Sequence, residues 1–321
     1  MYSNQVNILT SENEGGYSIS PRIRKLGKRF FNLPILRMFQ PHARKALVVT
    51  RPLGEIFIKG TPDHACNGAC GIITVLSANL WHDWPFHRRL TERLEAFAQM
   101  VEQENVDILL LQEVARKNGF NADEWLAQRL EMAFVYSRAN GHSAIGFEEG
   151  LAIFSRFPIS EPQLRQLSNP SNPFVRRAML GANLETPCGG LRAYSVHLGI
   201  RRKDNQQQQT ALHHLIGETT HQSLTLVGGD FNAHETSHQI QKTRTSWLDT
   251  YRHLHPLVDG HTHTIRLPWG WVLRRHRLDY IFVLPGKETW NVVEARHLST
   301  PGKGHSDHQA VLTRLTPSVQ K

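Results

Sequence analysis

The segment LVGGDFNAHETSH, residues 226–238, offers two metal chemistries that exclude each other. Its second half, His234-Glu235-x-x-His238, spells H-E-x-x-H, in which two histidines one helical turn apart ligate zinc and the glutamate acts as base. Its first half sets Asp230 and Asn232 directly after an aliphatic run, where their oxygens suit a hard cation such as Mg2+. The zinc reading needs a helix over 234–238, yet the segment follows strand-and-turn sequence, and Thr236 and Ser237 are poor helix formers. A third zinc ligand would also be needed downstream. With 19 histidines in the chain, such a match arises readily by chance. The magnesium reading leads.

Further oxygen donors are scattered along the chain: Asn79, Glu113 and Asp307 join Asp230 and Asn232, with no thiolate among them. Mg2+ takes one or two protein carboxylates and keeps water and substrate phosphate at its other positions, so this inventory is that of a phosphate-ester site. Mn2+ is the expected substitute for Mg2+.

Such donors act together only if folded elements gather them. IITVLSANL (72–80), VDILLLQEV (106–114), EGLAIFSRF (149–157), LRAYSVHL (191–198), SLTLVGGDFN (223–232), RLDYIFVL (277–284) and HQAVLTRL (308–315) read as strands. FHRRLTERLEAFAQMV (86–101) reads as an amphipathic helix with Phe86, Leu90, Leu94, Phe97, Ala98 and Val101 on one face, and Gln206–Gln209 falls on another helix. Asn79, Glu113, His197 and the Asp230/Asn232 pair each close an aliphatic run. Strand ends would collect them at one rim of a sheet, a placement that packing alone does not explain.

The ordered set LSANL, LLLQEV, EEGLAIFSR, YSVHL, GGDFN, RLDYIF and GHSDHQAV makes residues 71–316 resemble the endonuclease/exonuclease/phosphatase superfamily, in its deoxyribonuclease-I-like and neutral sphingomyelinase-like branch. The resemblance implies an α/β fold, a four-layer sandwich of two packed, mostly antiparallel sheets flanked by helices, with one Mg2+ site at the strand ends. It implies Glu113 as principal metal ligand, with Asn79 and Asp307 nearby. His308 would act at the scissile phosphate, oriented by Asp279, while Asp230 and Asn232 position the attacking water and a phosphate oxygen. Whether Asp230 or His308 is the base stays open. Glu149 and His197 look like a second carboxylate–imidazole pair, where an abasic-site endonuclease would carry a Tyr/Asn arrangement. Asp249 in SWLDTYRHLHP matches a position beside the phosphate pocket, an ordinary helix-surface aspartate being the alternative. Arg176 and Arg177 in FVRRAML either fork onto phosphate oxygens or form an exposed pair. Trp269 and Trp271, among cations just before Asp279, either stack on a base or dip into lipid, or else pack inward from a hairpin.

The formal net charge of +9 on 321 residues is unevenly placed. Residues 1–70 hold ten Lys/Arg against four Asp/Glu, and residues 71–321 hold 27 against 24. The expected organisation is a basic, partly disordered N-terminal extension over 1–70, a catalytic domain over 71–316 and a tail over 317–321. Cations interleaved with apolar residues over 21–51 suit nucleic acid or an anionic membrane surface, or pack on the main domain. Three cysteines, Cys66, Cys70 and Cys188, suggest no disulfide framework, and a metal site built on Cys66, Cys70 and His64 lacks a fourth ligand, so reduced thiols are expected. With neither signal peptide nor membrane-spanning run visible, the expected location is cytoplasmic, peripheral to a membrane on the lipid reading. The leading function is a Mg2+-dependent phosphodiesterase acting as a DNA or RNA nuclease. The alternative is a phospholipid phosphodiesterase, sphingomyelinase- or phosphoinositide-phosphatase-like, and the remote one a scaffold without activity. Nucleic acid is the expected partner, and no protein partner follows.

Overall fold

Aliphatic runs with polar residues only at their ends are suited to strands covered on both faces, and the structure is organised around them. This computed structural model describes residues 56–60, 69–117, 119–142, 146–167, 175–217, 224–267, 269, 271–284, 290–300 and 304–318. In chain order the elements begin β1 (Ile56–Lys59), β2 (Ile73–Asn79), α1 (Leu90–Gln103), β3 (Ile108–Lys117), β4 (Phe120–Asn121), α2 (Ala122–Leu130), β5 (Ala133–His142) and β6 (Phe147–Ser155). They continue as β7 (Ile159–Gln166), β8 (Ala178–Thr186), β9 (Gly189–His197), α3 (Arg202–Gly217), β10 (Leu224–Asp230), α4 (His238–Arg244) and β11 (Leu248–Asp249). The last are α5 (Thr250–Leu254), β12 (His263–Arg266), β13 (Val272–His276), β14 (Asp279–Leu284), β15 (Trp290–Leu298) and β16 (Ala310–Pro317).

One sheet has the order β1-β5-β6-β3-β2-β16-β15, with β4 on β3, and the other β11-β14-β10-β9-β8-β7. The β2–β3 and β9–β10 ladders are parallel and the rest antiparallel. Because successive strand residues face opposite ways, Ile108 and Leu110 of β3 join Leu180, Ala193 and Leu226 in the core between the sheets. Leu109 and Leu111 instead meet Phe97 of α1 and Leu126 of α2 on the outer face. Across the molecule, Val227 and Phe282 meet Leu212 of α3 and Ile240 of α4. The result is the expected four-layer sandwich.

Close approach between layers dictates the glycines of GGD. A Cβ on Gly228 would lie 2.6 Å from Leu110 Cδ1 of the facing sheet, and one on Gly229 would lie 1.9 Å from the Val196 carbonyl oxygen. Only glycine lets β10 run this deep, and its last residue is Asp230.

Several expectations need correction. The sheet begins before residue 71, because Ile56–Lys59 pairs with β5 as an edge strand. The first helix starts at Leu90 rather than Phe86, whose side chain is exposed. The Asp83 carboxylate accepts hydrogen bonds from the Arg88 backbone N–H and guanidinium, which folds 83–88 into a loop. Cys70 and Cys188 form a disulfide, against the expectation of free thiols. Their separation of 118 residues hides the pair from spacing rules, and such bonds persist in oxidising compartments. The basic arm over 21–51, His64 and Cys66 lie outside the described residues.

Cross-linking across so long a loop removes entropy from the unfolded chain, so Cys188→Ala is expected to lower stability by about 2–4 kcal/mol. Urea unfolding of the oxidised protein, with a non-reducing peptide map for the bond, checks this. An unchanged midpoint would count against the cross-link.

Candidate active site

Strand register brings three of the expected residues into one row. Asp230 is paired with His197 on parallel β9 and with Asp279 on antiparallel β14. Its Oδ2 lies 3.6 Å from His197 Nε2. His308 enters from the turn before β16 and its Nδ1 meets Asp279 Oδ2 at 2.8 Å. Thr262 donates to the same Oδ2 at 2.5 Å and accepts from the backbone N–H groups of Leu278 and Asp279.

Glu113 arrives from the other sheet by a different device. The sequence suggests that a strand ends near it, but β3 continues to Lys117. A register shift between Leu111 and Val114 and a φ of 54° at Glu113 form a bulge that re-aims its side chain. Positive φ in a non-glycine residue is strain of about 1–3 kcal/mol, held in place by the surrounding sheet. Asn79, the last residue of β2, spans the two sheets: its Nδ2 donates to Glu113 Oε1 and to Asp230 Oδ2, each at 3.2 Å. The Asn79 Oδ1 accepts from the Trp81 N–H. Asn232 donates its backbone N–H to Asp230 Oδ1 and its side-chain amide to the Leu198 carbonyl, which turns the chain back over the site.

Glu149 also joins. It accepts from Asn140 Nδ2 at 2.7 Å and lines a small cleft with Asn140, Arg176, Arg177 and His197. Arg177 Nε is buried there without a hydrogen-bond partner. A larger concavity along α3, bounded by Gln206, Ala211 and Leu215, lies away from these residues and brings no carboxylate.

Asp249 does not join them. Its carboxylate is held by Arg277 at 2.8 and 2.6 Å, with both side chains almost wholly buried, and it caps α5 at the Arg252 N–H. The H-E-x-x-H segment likewise builds no zinc site. His234 precedes α4 and His238 is its first residue, while Glu235 is bound to Arg252.

Two histidines that motif reading passed over flank the site. His82 Nδ1 accepts from the Trp84 N–H at 2.9 Å, so its proton sits on Nε2. That nitrogen faces Glu113 Oε2 at 3.5 Å and Glu149 Oε2 at 3.7 Å. His263 stands 4.6 Å from the His308 ring and 3.9 Å from Asp307 Oδ2. A histidine two or three residues past a strand-ending Asn is a weak signal, and His263 has none without the fold.

Burial and mutual charge shift these groups strongly. Burial raises the pKa of Asp230, and Asp279 adds to it, against His308 and hydrogen bonds from Asn232 and Asn79, giving about 7. Burial works against a charged His308, but Asp279, by charge and hydrogen bond, with Asp230 and Asp307, overcomes it and lifts the ring to about 10. His197 is pushed well down by burial and then by Arg177, so it is neutral. Among the described residues Glu113, Glu149, Asp230, Asp279 and Asp307 have only histidines as close basic neighbours, and Asp279 Oδ1 is buried without a partner. This oxygen-rich, undercompensated set fits a hard divalent cation.

A profile of the Endonuclease/Exonuclease/phosphatase family matches residues 76–303. No curated protein matches the sequence. Among solved structures, an endonuclease/exonuclease/phosphatase family protein from Leptotrichia buccalis is 18% identical with a TM-score of 0.62, over 77% of this chain and 99% of that one. The human Nocturnin catalytic domain with bound sulfate anion is 21% identical, TM-score 0.62, over 77% and 94%. D. rerio TDP2 complexed with single strand DNA product is 16% identical, TM-score 0.61, over 76% and 99%. These likenesses share the sandwich fold.

Since the raised folded pKa of His308 lies above its ordinary 6.5, the stability that its pair with Asp279 contributes is complete below about 6.5 and fades as pH climbs to about 10. In Asp279→Asn the ring should titrate markedly lower, as read by histidine NMR of metal-free protein. A ring still charged above about pH 8 would assign the effect to another carboxylate. Asp249→Ala strands Arg277 as a buried charge and is expected to cost about 3–5 kcal/mol in urea unfolding. A wild-type midpoint would return Asp249 to the phosphate pocket.

Proposed function

Because the chain belongs to the Endonuclease/Exonuclease/phosphatase family, whose members act on phosphate esters, we propose that it is a Mg2+-dependent phosphodiesterase that cleaves nucleic acid. The observation that carries this reading is the Asp279–His308 couple, closed at 2.8 Å, standing beside a second carboxylate, Asp230, whose pKa is raised to about 7. A nucleic-acid substrate is supported by the likeness to D. rerio TDP2, solved in complex with a single strand DNA product.

In this mechanism the two groups divide the work that the sequence left open. Asp230, poised near neutrality, takes the proton from the attacking water, as a general base of matched pKa does. His308, already cationic, donates toward the oxygen that gains charge, and Asp279 fixes the ring so that Nε2 faces the phosphate. Asn79 keeps Glu113 and Asp230 at a set separation. Asn232 orients Asp230 through its backbone N–H, and Arg177 offers its unpaired Nε to a phosphate oxygen. Glu113 and Asp307, with Asn79 beside them, would hold Mg2+. When bound, it supplies Lewis-acid polarisation and charge neutralisation at the phosphate. The lipid alternative draws on the resemblance of the His197 segment to sphingomyelinases, on Trp269 and Trp271, and on residues 21–51, the last outside the described part of the chain. A scaffold without activity has no use for so complete a set.

The purified protein should cleave DNA or RNA with Mg2+ and lose that activity in chelator, when offered plasmid, RNA, abasic DNA, sphingomyelin vesicles and phosphoinositides. His308→Ala and Glu113→Ala should each lower kcat by on the order of 10²–10⁴-fold while leaving the fold intact. Turnover near wild type in either variant, or cleavage confined to lipid, would overturn the proposal.

A further inference from the structure

Between Asp259 and Asp279 the chain carries four arginines and three histidines but no carboxylate side chain. Within this stretch, among the described residues, β12 and β13 form a two-stranded arm outside both main sheets, joined to the rest by one bridge at His263. Its base is bound to the site. His263 bridges to His308, the Gln309 N–H donates to the Thr262 carbonyl at 2.7 Å, and Thr262 holds Asp279. Its tip projects Trp269, 66% exposed, and Trp271, 73% exposed.

The faces of the arm follow from its register. His263 pairs with His276 and Ile265 with Arg274, and directly opposed residues of an antiparallel ladder share a face. Arg274 and His276 therefore continue the face that carries His263 beside His308. Arg277 is not available to a ligand, being buried on Asp249. Trp271 stands five residues from His276, roughly 17 Å along the strand. The arm thus runs from the imidazoles of His263 and His276 near His308, through the guanidinium of Arg274, to an aromatic tip.

We infer that this hairpin is a docking arm for single-stranded nucleic acid, whose phosphates follow Arg274 and His276 while unpaired bases stack on Trp269 and Trp271. The inference rests on the phosphodiesterase reading and narrows its substrate class. Exposed indole rings beside arginines form a stacking platform that accepts any base, and only an unpaired strand has base faces to offer. An anionic bilayer would also take tryptophans beside arginine, but it has no use for a cation lined up along the strand toward His308. The cationic face leading back to His308 is what a chain of successive phosphates needs.

The test compares wild type with Trp269→Ala/Trp271→Ala, both full length and with Mg2+, on a single-stranded oligonucleotide, its duplex, and bis(p-nitrophenyl) phosphate, a diester too small to reach the tip. The double variant should raise KM for the single strand by about tenfold or more, with kcat nearly kept. Turnover of the small diester should be unchanged, and the Phe/Phe double variant should restore most of the affinity. Quenching of tryptophan fluorescence by the oligonucleotide at low salt should disappear in the Ala variant. Equal losses on oligonucleotide and small diester, or an unchanged KM for the single strand, would overturn the arm's role. So would tryptophan-dependent binding to phosphatidylserine vesicles without binding to the oligonucleotide. Tryptophan-dependent binding of an oligonucleotide that is never cleaved would support the arm and reject the nuclease reading instead.

Discussion

Carboxylates that converge in a buried place repel one another, and this repulsion governs the structure around the strand ends. Asp230, Asp279 and the His308 ring offer ligand atoms within 4.8 Å of one another, and so do Glu113, Glu149 and His82. No arginine or lysine among the described residues is ion-paired to these acids. Part of the repulsion is relieved by raising Asp230 toward neutrality, part by holding His308 as an imidazolium. What remains is a demand for positive charge that a hard divalent cation can answer. Where a plain ion pair is wanted for structure, the chain uses arginine, as in Arg277 with Asp249 and Arg116 with Asp123.

Holding such a set in place requires precision, and backbone geometry supplies it. The β9–β10–β14 register sets His197, Asp230 and Asp279 side by side, and Gly228 and Gly229 let that strand approach its neighbours closely. On the facing sheet a bulge with positive φ turns Glu113 out of the strand's alternation. Asn79 joins the two sheets through hydrogen bonds to both acids. The same economy extends outward. The Asp279 carboxylate that fixes His308 also binds Thr262, so the root of the β12–β13 hairpin and the reacting imidazole are set by one group.

Much of this was legible in the sequence for a definite reason. Side chains at strand ends are placed by the strand itself, so an aliphatic run closing on Asn79, His197 or Asp230 already announces a rim of polar groups. The two-sheet sandwich was implied by the family resemblance, and the weak helix formers in 234–238 agree with a helix that begins only at His238. Glu113 was expected at a strand end, but its strand continues past it and a bulge, not an end, turns its side chain toward Asn79.

Local pattern in the sequence placed oxygen and imidazole side chains at the ends of aliphatic runs and set the order in which the strands bring them. Tertiary structure alone decided the partnerships. His82 and His263 became neighbours of the acids through contacts 31 and 44 residues away, counting from Glu113 and Asp307. Asp249 was withdrawn from the pocket by a buried arginine 28 residues on, and Cys70 met Cys188 across 118 residues. Hydrogen bonds, ion pairs and disulfides act over a few ångströms of space, and sequence pattern carries no measure of that distance once the chain has turned back on itself.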